Sequence, residues 1–236
     1  MTPAAGPRTP RAGRTVVVGV TILLGTAIAV GLQVGVLADR GYANAAGSPG
    51  DLVVLAANTQ ADASASDLAN LLRSTGADVV VLPETTREVA DDVAARVAAS
   101  GSPMQVLARR TGASPITSTA LLVAARLGEY RIDVVDRSRA ATFIPIDGDG
   151  PVLVAGDFNA TLDRSAFARR DPCADAAEAA GAAGLGTWPS PAPRGLAAPT
   201  DHVLVDGRTC RVRSFAVLDR LPGSDHRPVV AHLSAR

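Results

Sequence analysis

The order of apolar and polar positions divides the chain into three kinds of segment. The longest is Thr15 to Leu37, which carries no charge and has Gln33 as its most polar member. As a helix rising about 1.5 Å per residue it is roughly 35 Å long, enough to cross a hydrocarbon core about 30 Å thick. The second kind is a short, unbroken apolar run closed by polar residues. Leu52–Ala57 ends in Asn58, and Asp78–Leu82 ends in Pro83-Glu84. Runs of that length and continuity predict strands buried on both faces. The third kind has helical spacing. From about Ser66, Leu68, Leu71 and Leu72 form an apolar stripe that Gly76 ends, and residues 86–99 place Val89, Val93 and Val97 four apart.

Beyond residue 100 the pattern predicts mainly strands: Gln105–Ala108, Thr119–Ala125 and Tyr130–Val135. Phe143–Ile146 and Val152–Ala155 flank the turn Asp147-Gly148-Asp149-Gly150 in the manner of a hairpin, and the second of them runs into Gly156-Asp157-Phe158-Asn159. Residues 174–183 are Ala-rich and predict a helix. A Pro/Gly-dense loop follows from Gly184 to Pro199, then strands at His202–Val205, Arg211–Val217 and Pro228–Leu233. Early strands alternate with helices and later ones cluster, which predicts an α/β (α+β) sandwich with a mixed sheet. The chain divides into a tail (1–14), a transmembrane helix (15–37), a turn-prone linker (38–50) and one domain (51–236).

Charge changes the picture at the N-terminus. Arg8, Arg11 and Arg14 precede the apolar stretch with no acidic residue among them, while Asp39 and Arg40 after it cancel. The positive-inside bias then leaves the N-terminus in the cytoplasm and the domain outside, as a single-pass protein of the cell membrane. Ala43-Asn44-Ala45 offers the other reading, a cleaved signal peptide that would make the domain a secreted one; the length of the stretch favours the anchor. Outside the cytoplasm, Cys173 and Cys210 are expected to form a disulfide rather than a metal pair, because no second close pair of zinc ligands exists. Elsewhere charge is balanced, 23 basic against 23 acidic, every basic residue is Arg, and aromatic residues make up 3%. Nothing here is a positive sign of nucleic acid binding, and the domain is expected to be a monomer.

Polar residues recur at the ends of the buried strands: Asn58, Glu84, Asp157 with Asn159, Asp201, and Asp225-His226 before the last. Each has an ordinary alternative. An Asp or Asn at a strand end commonly bonds its own backbone in a turn, and a Glu before a helix stabilises its N-terminus. Together they have a chemical logic. A hard cation such as Mg²⁺ (or Mn²⁺) takes oxygen ligands and keeps several waters, so Glu84 and Asp225 would suffice to hold it. Asp157 could orient or deprotonate a water, and Asn159 could donate to a phosphate as a substrate-binding group. Asp225 and His226 are adjacent and point to opposite sides of an extended segment, which makes Asp201 the better partner for the imidazole.

The segments ending in Asn58 and in "DVVVLPE", with "VAGDFNAT" at 154–161, "TDHVLV" at 200–205 and "SDHRPVVAHL" at 224–233, resemble the endonuclease/exonuclease/phosphatase family. That resemblance implies a DNase I-like four-layer sandwich of two mixed sheets flanked by helices, with the site at one end. It implies metal binding by Glu84 with help from Asn58, catalytic roles for Asp157 and Asn159, support of His226 by Asp201, and Asp225 at the metal or water. The implied activity is metal-dependent hydrolysis of a phosphate ester or phosphodiester of unassigned class. Two departures stand out. The family's His-bearing strand and long helix before "GDFN" are absent, the only histidines being His202, His226 and His232, and Gln60 stands where an acidic residue often follows the first Asn. The domain therefore reads as truncated, and a catalytically degenerate member with a binding or structural role is the alternative.

Overall fold

Alternation inside the short apolar runs decides which layers they join. The structure, a computed structural model, describes residues 12–44, 51–110, 112–132, 152–165, 167 and 170–236, with backbone alone at 12–25. β1 (Leu52–Ala56) and β2 (Val79–Pro83) lie parallel at the centre of a six-stranded sheet, with Val54 opposite Val79. Around them, β3 (Met104–Arg110), β4 (Ser118–Ala124), β8 (Cys210–Val217) and β9 (Val229–Ala235) complete the order β3-β4-β2-β1-β9-β8. Every pairing other than β1–β2 is antiparallel.

Val54, Ala56 and Val81 face the second sheet, while Leu55, Val80 and Leu82 face helices on the other side. Strand geometry sends successive side chains to opposite faces, so a strand with apolar cover on both sides must be apolar throughout. The covering helices are α2 (Ala65–Thr75) and α3 (Arg87–Ala98). Ser64 caps α2 by accepting the Asp67 N–H, and Gly76, left-handed at φ 64°, closes it; Thr86 caps α3. They bury Leu68, Ala69 and Leu72 from α2 and Ala90, Val93 and Val97 from α3. Each full Leu or Val burial is worth about 1.5–3 kcal/mol, and truncating Leu55 to Ala would cost about 2–5 kcal/mol.

The second sheet is three-stranded and antiparallel. It consists of β5 (Leu153–Asp157), β6 (Cys173–Asp175) and β7 (Asp201–Asp206) in the order β5-β7-β6. Asp157 pairs with Asp201 and Gly156 with His202. Gly156 takes a φ of 134° that side-chain residues rarely adopt, and there β5 packs against the Pro83 ring of β2. This contact brings the end of β5 beside the end of β2, where Asp157 and Glu84 emerge.

Several expectations need correction. Cys173 and Cys210 are free thiols on strands of different sheets, and Cys210 Sγ instead lies 3.8 Å from the Thr209 hydroxyl. The helix expected at 174–183 shrinks to α4 (Ala176–Ala179), because Cys173–Asp175 joins β7 as a strand, Asp175 caps the helix, and Gly181 turns left-handed at φ 66°. Since α4 is so short, the described residues give three layers, helices on sheet on sheet, where four were expected. Of the strand expected at Tyr130–Val135, Ile132 forms a bridge and residues 133–135 lie outside the described ones, as do Phe143–Ile146, the turn at 147–150 and linker residues 45–50.

At the N-terminus, α1 (Ala12–Arg40) contains the whole apolar stretch 15–37. The side chains of residues 12–25 lie outside the described ones, and among the residues described with side chains no helix is long and apolar enough to cross a membrane. Ile28, Val30, Leu32, Val34 and Val36 are exposed on it. The following residues, expected as linker, are stitched to the domain. Ala43 N–H bonds Gly181 O at 2.9 Å, Gly184 N–H bonds Gly41 O at 3.0 Å, and the Asn44 side chain pairs both ways with the Val217 backbone.

Candidate active site

The ends of β1, β2, β5 and β7 meet at one rim together with the turn before β9, and each contributes a polar side chain. Asn58, just past β1, is buried, and its amide donates to Glu84 Oε1 at 3.1 Å and to Asp157 Oδ2 at 3.0 Å. Its own oxygen accepts the Gln60 N–H at 2.9 Å. Asn58 therefore braces two carboxylates that would otherwise repel.

Glu84 sits in the left-handed region at φ 55°, a conformation a non-glycine residue adopts only when its surroundings hold it there. Thr59 supplies that hold: its hydroxyl bonds Glu84 O at 2.9 Å and lies 2.9 Å from the hydroxyl of Thr85.

Asp157 ends β5. It accepts the Asn159 N–H on Oδ1 at 2.8 Å and the Asn159 side-chain amide on Oδ2 at 3.2 Å, and Asn159 is itself left-handed at φ 49°. Burial, and after it the charge of Asp201, pushes Asp157 above the usual carboxylate range, against the bond from Asn159 and the nearby His226. Desolvation penalises the ionised form, and a like charge adds to the penalty.

His226 Nδ1 lies 2.8 Å from Asp201 Oδ2. The other ring nitrogen faces the carboxylates, 3.7 Å from Asp157 Oδ2 and 3.9 Å from Asp225 Oδ1. Burial of the ring opposes its charged form. The hydrogen bond and charge of Asp201, with Asp157 and Asp225 behind it, outweigh that and hold the imidazole above its usual range. Ser224 fixes the turn, donating to Asn58 O at 2.6 Å and accepting the His226 N–H at 3.0 Å.

Thus all seven residues singled out in the sequence, Asn58, Glu84, Asp157, Asn159, Asp201, Asp225 and His226, form one connected cluster. Ligand atoms of Asp157, Asp201 and His226 lie within 4.8 Å of one another, close enough for one metal ion. Among the described residues no group pairs with the buried Asp201 Oδ1, and a buried carboxylate oxygen of that kind can accept from a water or bind a cation. The donors are overwhelmingly oxygen, which fits a hard divalent ion. Asn58, expected as a ligand, turns its amide N–H toward the carboxylates and acts as their brace. A cavity of about 460 Å³ lies elsewhere, at the opposite end of β2 around Asp78 and Arg126, which pair with each other. It gathers no such cluster, so the rim is the better candidate for chemistry.

Other contributors went unrecognised in the sequence. Trp188, in the Pro/Gly-dense loop, is about half exposed; its indole N–H donates to Asp225 Oδ2 at 2.9 Å and its ring lies 6.5 Å from that of His226. Thr187 accepts the N–H groups of Thr200 and Asp201. Neither had a sequence signal, because the loop's path across the rim depends on the bridge between Trp188 and Ala198.

Comparison with known proteins agrees with this geometry. The family described as the Endonuclease/Exonuclease/phosphatase family matches residues 41–226. No curated protein sequence matches. Among solved structures, the fold is similar to an endonuclease/exonuclease/phosphatase from Bacteroides vulgatus, with TM-score 0.60 and 13% identity over 78% of this chain and 99% of that one. It is similar to a mannosyl-6-phosphatase of Bacteroides thetaiotaomicron, with TM-score 0.53 and 14% identity over 78% and 99% of the two chains. A humanized TDP2 of D. rerio gives TM-score 0.55 and 15% identity over 77% and 98%.

Proposed function

Because the chain belongs to the endonuclease/exonuclease/phosphatase family, a family of phosphate-ester hydrolases, we propose that its rim cluster hydrolyses a phosphate ester or phosphodiester with a divalent metal, Mg²⁺ or Mn²⁺. The observation that carries this reading is the contact chain Glu84–Asn58–Asp157–His226–Asp201, assembled from five separate segments. Asp157, with its raised proton affinity, is suited to take a proton from an attacking water. Asn159 is held beside it and can donate its amide to a phosphate oxygen. His226 is fixed by Asp201 through Nδ1, so Nε2 is the nitrogen left to donate to a phosphoryl or leaving oxygen. A divalent ion at this rim, with Glu84 and Asp225 as its proposed ligands beside the Asp157–Asp201–His226 group that lies within reach of one ion, would polarise the phosphoryl group and offset its developing charge.

Placement at a membrane is part of the same proposal. It is supported by the uncharged stretch 15–37, the arginines before it, and the exposed apolar residues on α1. The N-terminus would be cytoplasmic and the domain extracytoplasmic and monomeric.

The purified chain should hydrolyse bis-p-nitrophenyl phosphate with Mg²⁺ or Mn²⁺, and Asp157→Ala should lower the rate by about 10²–10⁴. Equal rates in the two proteins would end the catalytic reading. The lack of any histidine before residue 201 favours a second reading, a degenerate member that binds but does not turn over. Saturable Mn²⁺ binding by calorimetry, with no hydrolysis of any phosphate ester offered, would select it.

A further inference from the structure

A second aspartate–histidine pair lies directly behind the first. His202 follows Asp201 on β7, and strand alternation sends its side chain to the other face of the sheet. There it is buried to 2% exposure, with Nδ1 2.9 Å from Asp175 Oδ2 and Nε2 2.9 Å from the carbonyl oxygen of Ala160. Asp175 is fully buried, and its other oxygen accepts the Glu178 N–H at 2.9 Å to cap α4. Phe158 meets the imidazole edge-on at 5.6 Å and Phe167 lies at 5.0 Å, so the ring has no freedom to turn.

Both ring nitrogens face acceptors. The Ala160 carbonyl can only accept, so Nε2 carries a proton, while Nδ1 meets the Asp175 carboxylate. Burial opposes the charged ring, but the bond and charge of Asp175 outweigh it and raise its proton affinity.

Ala160 immediately follows Asn159. The turn that presents Asn159 is fastened at its start by Phe158 N–H to Thr200 O at 2.9 Å and by Asn159 N–H to Asp157. Beyond Asn159 it has left the sheet, and His202 is the side chain that fastens its far end. We propose that His202, wedged between Asp175 and Ala160, is a positioning residue that holds the turn so that Asn159 meets the phosphate. This rests on the catalytic reading above, since it assigns Asn159 to substrate.

Two substitutions separate the ring's two bonds. The amide nitrogen of Asn reproduces the position of Nδ1, and that of Gln the position of Nε2. In the full chain, His202→Asn should release Ala160, speed hydrogen exchange at the Phe158 and Asn159 amides about tenfold or more, and lower kcat on bis-p-nitrophenyl phosphate by about tenfold to hundredfold with KM unchanged. His202→Gln should return both readouts to within about threefold of the original. Wild-type exchange and kcat in His202→Asn would overturn the proposal, as would His202→Gln behaving like His202→Asn. If His202→Asn does not fold, Asp175→Asn, which keeps an acceptor for the helix cap, should loosen the same amides to a lesser degree; unchanged exchange there also overturns it. Should the wild-type chain hydrolyse nothing, the exchange pattern still decides the clamp, and the failure falls on the catalytic reading alone.

Discussion

Asp201–His226 and Asp175–His202 use the same chemistry on opposite faces of one strand, yet they are wired differently. In the first pair one ring nitrogen is engaged and the other opens onto Asp157 and Asp225. In the second, both nitrogens are consumed by Asp175 and the Ala160 carbonyl, and aromatic rings close the remaining space. Consecutive residues of one strand, Asp201 and His202, thus belong to a reactive face and a supporting face. What separates the imidazole proposed to act from the structural one is the open nitrogen, and neither burial nor a carboxylate partner tells them apart.

The sharpest break in the comparison should come from activity. His226→Ala removes the open nitrogen and should lower kcat on bis-p-nitrophenyl phosphate by about 10²–10⁴. The supporting pair should show the converse in stability. Asp175→Ala strands a buried imidazole and uncaps α4, and should cost about 3–5 kcal/mol in urea unfolding, more than Asp201→Asn, which keeps an oxygen for His226.

A pH profile sharpens the contrast further. In the proposed reaction Asp157 works ionised, and its pKa is raised, so the acid limb of the rate profile should lie above 3.8. His226 works protonated and is also raised, so the alkaline limb should lie above 6.5. Asp201 contributes to both shifts, and Asp201→Asn should move both limbs to lower pH. Linkage gives a matching sign for the metal-free domain, in which folding tightens proton binding at both groups. The His226 contribution to stability is complete below 6.5 and fades as pH rises through its folded value, and that of Asp157 fades as pH rises from 3.8. A urea midpoint that rose over that range without metal would contradict it. The smallest effect belongs to Trp188→Phe, which loses one bond to Asp225; water can replace it at that partly exposed carboxylate, so kcat/KM should fall about tenfold at most.

Much of the reactive face was legible in the sequence because its residues sit at strand ends, where an apolar run stops at a polar residue. Asn58 after "LVVLAA" and Glu84 after "DVVVLP" are such stops, and the sheet order brings them together. The supporting face was not legible. Asp175 lies in an Ala-rich segment that reads as helix, and only the pairing of β6 with β7 sets it against His202. Trp188 was hidden for a related reason: proline and glycine announce a loop but do not say where it goes. The fourth layer was expected from family resemblance, whereas among the described residues the four-residue α4 packs Ala176 and Ala177 into the core shared by the two sheets. The disulfide was expected from compartment alone, and no local pattern could have said that its two cysteines lie on different sheets.

Trp188 is the only tryptophan in the chain, and it leans on Asp225 beside His226. Its emission is therefore a built-in optical gauge of the rim. An ion or anion arriving at Asp225 perturbs the one indole that fluoresces, so occupancy can be followed without a label, a second chromophore or any turnover.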